Sequence, residues 1–141
     1  MKKTEEDAAV IKDAKVKLGK KIRELREQTR KIKSAALANE IGLPRSNMKY
    51  IEDGVNAPSP EKYEALIRAL QPNPEDHKEL DRIYSVIRGA PPPDVCKIII
   101  ENDWLFDSLR LASAKQLTEE QIKEVRTLLA TFNTKGETEN G

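Results

Sequence analysis

Three observations in the sequence predict an all-α fold. Apolar residues recur at steps of three and four, which is the spacing of residues on one face of a helix. Several of these segments follow a Ser, Thr, Asp or Asn, or begin with proline, and both are common helix start signals. No segment alternates for long between apolar and polar residues, as a half-buried strand would. Because aromatic residues make up only 4% of the 141 residues, the core must be mainly aliphatic.

The first predicted helix ends near Thr29. Its buried face is predicted from three apolar residues: Leu18, Ile22 and Leu25. Residues 1–16 are interpreted as a helical or flexible N-terminal arm. The three acidic residues after Thr4 would stabilise a helix start. That start belongs either to a separate helix or to one long helix that runs through Gly19.

Two short helices are predicted next, at Ser34–Ile41 and at about 45–53. Gly42 lies between them, and Gly54 is placed to end the second one. Glycine allows the left-handed backbone that a tight turn between helices needs. The pattern of small, apolar and glycine positions predicts a helix-turn-helix motif. Seven residues carry this pattern: Leu37, Ala38, Ile41, Gly42, Leu43, Met48 and Ile51.

The fourth and fifth predicted helices have clear start signals. Ser59 and Asn73 can each cap a helix whose first residue is a proline, Pro60 or Pro74. The apolar face of the fourth helix consists of Tyr63, Leu66, Ile67 and Leu70. That of the fifth consists of Leu80, Ile83, Tyr84 and Ile87.

A stiff connector is predicted at residues 89–93, where three consecutive prolines follow glycine and alanine. Beyond it, residues 94–132 contain three further helical pieces, and the polar tail 133–141 is predicted to be disordered. The caps predicted for the three pieces are Asp94, Asp103 and Thr118. Gln121 lies three residues after Thr118, so the last helix is predicted to start with a capping box.

Charge is distributed unevenly along the chain. Residues 1–58 contain 14 Lys/Arg and 9 Asp/Glu, whereas residues 59–141 contain 11 and 15. A basic first part and an acidic second part are expected of a protein that contacts a polyanion with one end. The alternative is that these charges are ordinary solvated helix faces.

Composition argues against several classes of protein. With one cysteine, Cys96, and one histidine, His77, the chain cannot form an internal disulfide or a Cys/His metal cage. No run approaches the roughly 20 apolar residues of a membrane span, and the start turns acidic where a signal peptide would be apolar. A cytoplasmic protein without a cofactor, and not an enzyme, is therefore predicted. Trp104 is interpreted as a packing anchor.

The third helix presents polar side chains on its outer face. At about 100° per residue, burial of Met48 and Ile51 leaves the opposite face to hydrogen-bonding residues. Ser46, Lys49 and Tyr50 point most directly outward, and Arg45 and Asn47 flank them. Arg can bind guanine and Asn can bind adenine through two hydrogen bonds in the major groove of DNA. This pattern predicts a base-reading helix, and the alternative is a solvated face in an ordinary bundle.

Candidate phosphate contacts surround this helix in the sequence. The start of the second helix offers backbone N–H groups and the Ser34 hydroxyl to a phosphate. Three cations precede it: Arg30, Lys31 and Lys33. Asn56, after the third helix, is a further candidate for a backbone or base contact. The alternative for the cations is that they serve solubility alone.

The segments LGKKIRELRE and SAALANEIGLPRSNMKYIEDG, followed by a proline-started helix ending in ALIRAL, resemble the phage-repressor-like (Cro/CI-type, XRE) helix-turn-helix family. The resemblance covers about residues 17–88. It implies a compact five-helix, repressor-like bundle that binds operator DNA, usually as a homodimer. Residues 94–132 then resemble the helical C-terminal extension of two to three helices found in many small members.

The resemblance also implies roles for individual residues. The family's base-reading positions fall on four of the residues named above: Arg45, Ser46, Lys49 and Asn56. Its phosphate-binding position falls on Ser34, where many members have glutamine. The resemblance further implies a structural ion pair between Arg26 and Glu52. Two departures are that residues 29–33 form a loop one residue longer than usual, and that Pro44 replaces a common Ser or Thr cap.

These patterns predict a sequence-specific, double-stranded DNA-binding transcriptional regulator that acts as a repressor. A homodimer is expected, with residues 94–132 as the hypothetical dimer contact. The alternative is an antitoxin or protein-interaction adaptor on the same bundle, with the acidic C-terminal helices binding a protein partner.

Overall fold

The computed structural model describes residues 4–132, and the disorder predicted for the tail lies outside that range. The described chain contains eight α-helices, one π-helical segment and no strand. The helices are α1 (Glu5–Glu24), α2 (Ser34–Ile41), α3 (Arg45–Glu52), α4 (Pro60–Leu70), α5 (Pro74–Arg88), α6 (Pro93–Glu101), α7 (Trp104–Lys115) and α8 (Glu119–Thr131). The all-α class predicted from the sequence is confirmed.

Helix α1 is one continuous helix that runs through Gly19. It begins with a capping box: the Thr4 hydroxyl accepts from the Asp7 backbone N–H at 3.1 Å, and the Asp7 carboxylate accepts from the Thr4 N–H at 3.3 Å. Two orphan donors of the first turn are thereby satisfied. Of the two helix starts considered for this region, the structure therefore has the long helix.

A π-helical segment, Leu25–Arg30, continues from α1. A π-turn holds one more residue than an α-turn. Residues 29 and 30 of the predicted loop lie within this segment, and only residues 31–33 remain non-helical before α2. Lys31 ends the segment in the left-handed conformation, with φ of 54°.

The turn between α2 and α3 has the predicted geometry. Gly42 has φ of 71°, and the backbone N–H of Leu43 donates to the carbonyl of Ala38 at 2.9 Å. Helix α3 ends at Glu52, one residue earlier than predicted, and Gly54 follows with φ of 78°.

The first compact unit of the chain ends at Ile98 and contains the hydrophobic core. The buried apolar side chains among residues 4–132 lie between Ala14 and Ile87, on α1–α5 and the π-helical segment, with Pro58 in the loop before α4. Helix α1 packs mainly against α5 and α3, and α2 packs against α3 and α4. The rings of Tyr63 and Tyr84 stack with centroids 4.0 Å apart. The Tyr84 hydroxyl donates to the Pro58 carbonyl at 2.7 Å, so this buried polar group is satisfied.

The second unit begins at Ile99. Helices α7 and α8 have no buried residue within the described range. Trp104 is 63% exposed, so its interpretation as a packing anchor is wrong for the single chain. Thr118 and Gln121 form the predicted capping box, whereas Asp103 makes no cap hydrogen bond.

Helix α6 begins at Pro93, so Asp94 lies inside its first turn and does not cap it. Its carboxylate accepts from the Val95 N–H at 2.9 Å instead. The fixed backbone angle of proline suits the first helical position, which explains why the helix begins one residue before the aspartate.

No helix between residues 4 and 132 combines the length and hydrophobicity needed to cross a membrane. The same part of the chain contains no group of three or more His, Cys, Asp or Glu that could hold a metal ion. Cys96 is partly exposed, with its thiol 3.3 Å from the Pro91 carbonyl.

Candidate nucleic-acid interface

Helix α3 has one buried face and one exposed face. Met48 has no exposed surface and Ile51 is 4% exposed, so both belong to the core. The opposite face carries the five predicted base-reading side chains, all exposed: Arg45, Ser46, Asn47, Lys49 and Tyr50. Tyr50 is 48% exposed although it is aromatic. The five side chains are therefore free to contact another molecule.

Two glycines bring α1 unusually close to the C-terminal end of α3. A Cβ at Gly19 would lie 2.4 Å from the Ile51 carbonyl oxygen, and one at Gly54 would lie 2.7 Å from the Cα of Val16. No other residue fits at either position without moving a helix. The two contacts therefore fix how far α3 projects from the bundle. Sequence reasoning identified Gly54 as a helix end but missed the role of Gly19.

A buried ion pair also joins α3 to the π-helical segment. The Arg26 Nε and Nη2 donate to the two carboxylate oxygens of Glu52, each at 2.8 Å. Arg26 Nη1 donates to the Ile32 carbonyl at 3.0 Å. The hydrogen bonds to Glu52 raise the pKa of Arg26 above its ordinary value, despite burial. This is the pair that the family resemblance implied.

Arg23 adds a contact that sequence reasoning missed. Its guanidinium lies 3.3 Å from the Glu52 carboxylate and 2.9 Å from that of Asp53. Arg23 and Arg26 are three residues apart on α1 and its continuation, opposite two consecutive acids. That spacing is the feature of the sequence from which the contact of Arg23 could have been predicted. Together the two arginines neutralise the acidic end of α3, so its negative charge does not oppose a polyanion at the exposed face.

The candidate phosphate contacts separate into two groups. Lys31 and Lys33 are exposed, and Ser34 is partly exposed at the start of α2. Arg30 instead pairs with Glu40 at 2.9 Å and donates to the Ala69 carbonyl. The hydrogen bond between Arg30 and Glu40 raises the pKa of the arginine and lowers that of the glutamate. The structure thus gives Arg30 partners within the bundle, and its predicted phosphate contact stays a prediction.

The segment after α3 is folded back onto that helix. The backbone N–H groups of Val55 and Asn56 donate to the Tyr50 carbonyl at 2.9 and 3.3 Å. Asn56 is exposed beside a groove of about 560 Å³ that Asn47 and Tyr50 also line. The predicted residues at 47, 50 and 56 therefore share one surface.

Lys62 supports this surface from α4 and was not predicted. Its ammonium donates to the carbonyls of Ile41 and Gly42 at 3.0 and 3.3 Å. These carbonyls end α2, where the helix dipole favours a cation. Lys62 thus fixes the turn that precedes α3. The lysine lies in the first turn of a distant helix, so the sequence alone did not indicate this contact.

Residues 17–80 match the family model described as a helix-turn-helix domain. This part of the chain is a helix-turn-helix domain. The matched range includes α2, the Gly42 turn and α3, and it ends within α5. The match is consistent with the resemblance to Cro/CI-type regulators and indicates a DNA-binding function. Neither the curated proteins nor the solved structures contain a significant match to this chain.

Proposed function

We propose that the helix-turn-helix domain recognises a specific double-stranded DNA sequence and that the protein is a transcriptional repressor. One observation carries this proposal. Helix α3 is held in the core by Met48 and Ile51, and it exposes every hydrogen-bonding side chain of its outer face. A helix held in this way can enter the major groove with its N-terminal residues toward the base edges. The proposal includes a location in the cytoplasm, since a protein that binds cellular DNA acts inside the cell.

Each exposed side chain of α3 has a chemically defined role in this proposal. Arg45 donates two hydrogen bonds to guanine, and Asn47 exchanges two with adenine. Ser46 and Lys49 are suited to single hydrogen bonds to base edges, and Tyr50 to a phosphate or a thymine methyl group. Asn56 contacts either a base or the backbone from the segment after α3.

Phosphate contacts at the start of α2 would set the position of α3 on the duplex. Lys31 and Lys33 supply positive charge, and Ser34 supplies a hydroxyl beside the free N–H groups of the first helical turn. Contacts of this kind position a protein without specifying sequence. Arg30 stays a further candidate for this set, although its guanidinium also donates to Glu40.

Selection of bound duplexes from a random DNA pool, followed by titration of variants, tests the proposal. Arg45→Ala is expected to reduce the preference for one base pair by about 1–3 kcal/mol. Lys31→Ala is expected to weaken binding to all sequences alike. If Arg45→Ala binds with unchanged preference, α3 does not lie in the groove in the proposed orientation.

We further propose a homodimer formed through the second unit. Ile122, Val125, Leu129 and Phe132 follow one another at steps of three, four and three, which is the a/d spacing of a coiled-coil seam. Their side chains are 42–63% exposed. Between Ile100 and Phe132, ten large apolar side chains are exposed, and exposed apolar surface of this kind marks sites of contact with another protein.

Sedimentation of the full chain and of Leu129→Glu tests the dimer. The substituted chain is expected to be monomeric because a charge at the seam would be buried without a partner. Thr127→Glu provides a control, because it adds the same negative charge on the side of α8 opposite the seam. A dimer that persists in Leu129→Glu would place the contact elsewhere.

The second candidate function is an antitoxin or adaptor whose C-terminal helices bind another protein. The exposed apolar residues of the second unit favour this candidate as well. The two functions differ in salt dependence, because DNA affinity falls by about 0.9 log units per phosphate contact for each log unit of salt. A protein that does not bind DNA would show no such slope with duplex DNA.

A further inference from the structure

A stripe of four cations runs along one face of α1 and its π-helical continuation. Its members are Lys12, Lys15, Arg23 and Arg26, and we call them the basic stripe. They are three, eight and three residues apart, which places them within one narrow sector of the helix at about 100° per residue. Val16 and Gly19 lie in the same sector and contact the end of α3. The stripe therefore faces the side of the molecule that holds the candidate interface.

The two halves of the basic stripe differ in their partners. Arg23 and Arg26 are paired with Asp53 and Glu52. Lys12 and Lys15 have no carboxylate partner among residues 4–132, although Asp53 lies beside the same groove. The Asp53 carboxylate is held by Arg23 at 2.9 Å, so its charge is already compensated. The two lysines thus retain uncompensated positive charge.

Two of the other three lysines of α1 are used within the fold. Lys17 pairs with Asp13 at 3.0 Å, and Lys21 pairs with Asp76 at 2.8 Å. Lys20 is exposed without an ion-pair partner among residues 4–132, but it lies outside the sector of the basic stripe. Within the stripe, the lack of a partner distinguishes the part that extends past the end of α3.

Both lysines line grooves that open beside α3. Lys12 and Lys15 share a groove of about 590 Å³ with Val55. Lys15 also lines the groove of about 560 Å³ that holds Tyr50 and Asn56. Lys15 is therefore a direct neighbour of the surface proposed to contact bases, and Lys12 lies one helical turn further out on the same face.

We propose that Lys12 and Lys15 bind DNA phosphates and form a second phosphate-binding region, separate from Lys31 and Lys33. This inference rests on the proposed DNA-binding function. A lysine ammonium is a compact charge on a flexible stem and needs no fixed geometry to bind a phosphate. The N-terminal part of α1 then serves as more than an extension of the bundle: it enlarges the footprint of the domain on DNA.

The salt dependence of DNA binding tests this inference. The probe is a mixed-sequence duplex, titrated with the full chain and with Lys12→Gln/Lys15→Gln over a range of salt concentrations. Each lost phosphate contact is expected to reduce the slope of log affinity against log salt by about 0.9, so the double variant should lose about 1.8. A fourfold rise in salt would then weaken the variant about 12-fold less than the wild type.

Lys17→Gln/Lys20→Gln is the matched control, because it removes the same charge from α1 outside the sector of the basic stripe. At about 100° per residue, Lys17 and Lys20 lie roughly 170° and 110° from the midpoint between Lys12 and Lys15. Its slope is expected to equal that of the wild type. Lys12→Arg/Lys15→Arg is expected to retain the full slope, since it keeps both charges. Circular dichroism of all three variants checks that α1 remains helical.

The outcomes separate this inference from the function on which it rests. A wild-type chain with no salt-dependent affinity for the duplex overturns both. Salt-dependent wild-type binding with an unchanged slope in Lys12→Gln/Lys15→Gln overturns the second phosphate region alone. An equal loss of slope in Lys17→Gln/Lys20→Gln also overturns it, because the effect would then be one of net charge.

Discussion

Both units of the chain contain capped, amphipathic helices, but the units differ in how far the apolar side chains of these helices are buried. Helix α4 in the first unit carries three buried side chains, Tyr63, Leu66 and Leu70. Helix α8 in the second has a proper capping box and a regular apolar stripe, but no buried residue in the described chain. An amphipathic pattern thus specifies a face, whereas burial depends on whether another element covers that face.

This difference also separates the proposed functions of the units. In the first unit, the core and the Arg26–Glu52 pair hold α3 so that its polar side chains are presented in one arrangement. In the second, exposed apolar residues such as Trp104 and Phe132 remain available to a partner. A rigid surface suits recognition of base edges, and an uncovered apolar surface suits association with protein.

The largest expected contrast concerns a carboxylate in each unit. Glu52→Gln removes the buried counter-charge of Arg26 and leaves its guanidinium only the exposed carboxylate of Glu27, at 3.4 Å. Breaking a buried pair costs about 3–5 kcal/mol. Glu124→Gln changes an exposed residue of α8 and should alter stability by less than about 0.5 kcal/mol. Urea denaturation of both variants measures the difference. Equal effects would contradict the structural importance assigned to the buried pair.

A leucine in each unit gives the next contrast. Leu37→Ala removes a side chain with no exposed surface, and an expected loss of about 2–5 kcal/mol follows from the cavity. Leu128→Ala removes a side chain that is 57% exposed, so dilute protein should lose less than about 1 kcal/mol. Thermal unfolding at two protein concentrations checks both. A Leu128→Ala effect that grows with concentration would sharpen the comparison, because it would show that a second copy covers α8.

Helix caps provide the smallest contrast. Thr118→Ala and Ser59→Ala each remove a side-chain cap worth about 1 kcal/mol. Helix α4 is held by the core and should keep its helical structure, whereas α8 should lose part of its first turns. Amide hydrogen exchange of the two helices measures this. Equal protection after the two substitutions would mean that α8 is supported by contacts other than its cap.

The sequence indicated the local features because they depend on neighbouring residues. Ser59, Asn73 and Thr118 act as caps as predicted, and the α2 bounds and the Gly42 turn agree with the structure. These features follow from backbone hydrogen bonds within a few residues. The predicted end of α3 is wrong by one residue. The predicted start of α6 is wrong by two, because a helix capped by Asp94 would begin at Val95 and not at Pro93.

The sequence by itself determined the all-α class, the helix-turn-helix motif and the residues of the outward face of α3. Tertiary structure alone decided that Arg30 pairs with Glu40, that Arg23 joins the α3 acids, and that Lys62 holds the turn. It also decided that Trp104 stays exposed. The physical reason is that helical periodicity and caps are local, whereas the choice of partner for a long charged or apolar side chain depends on which helices come together in space.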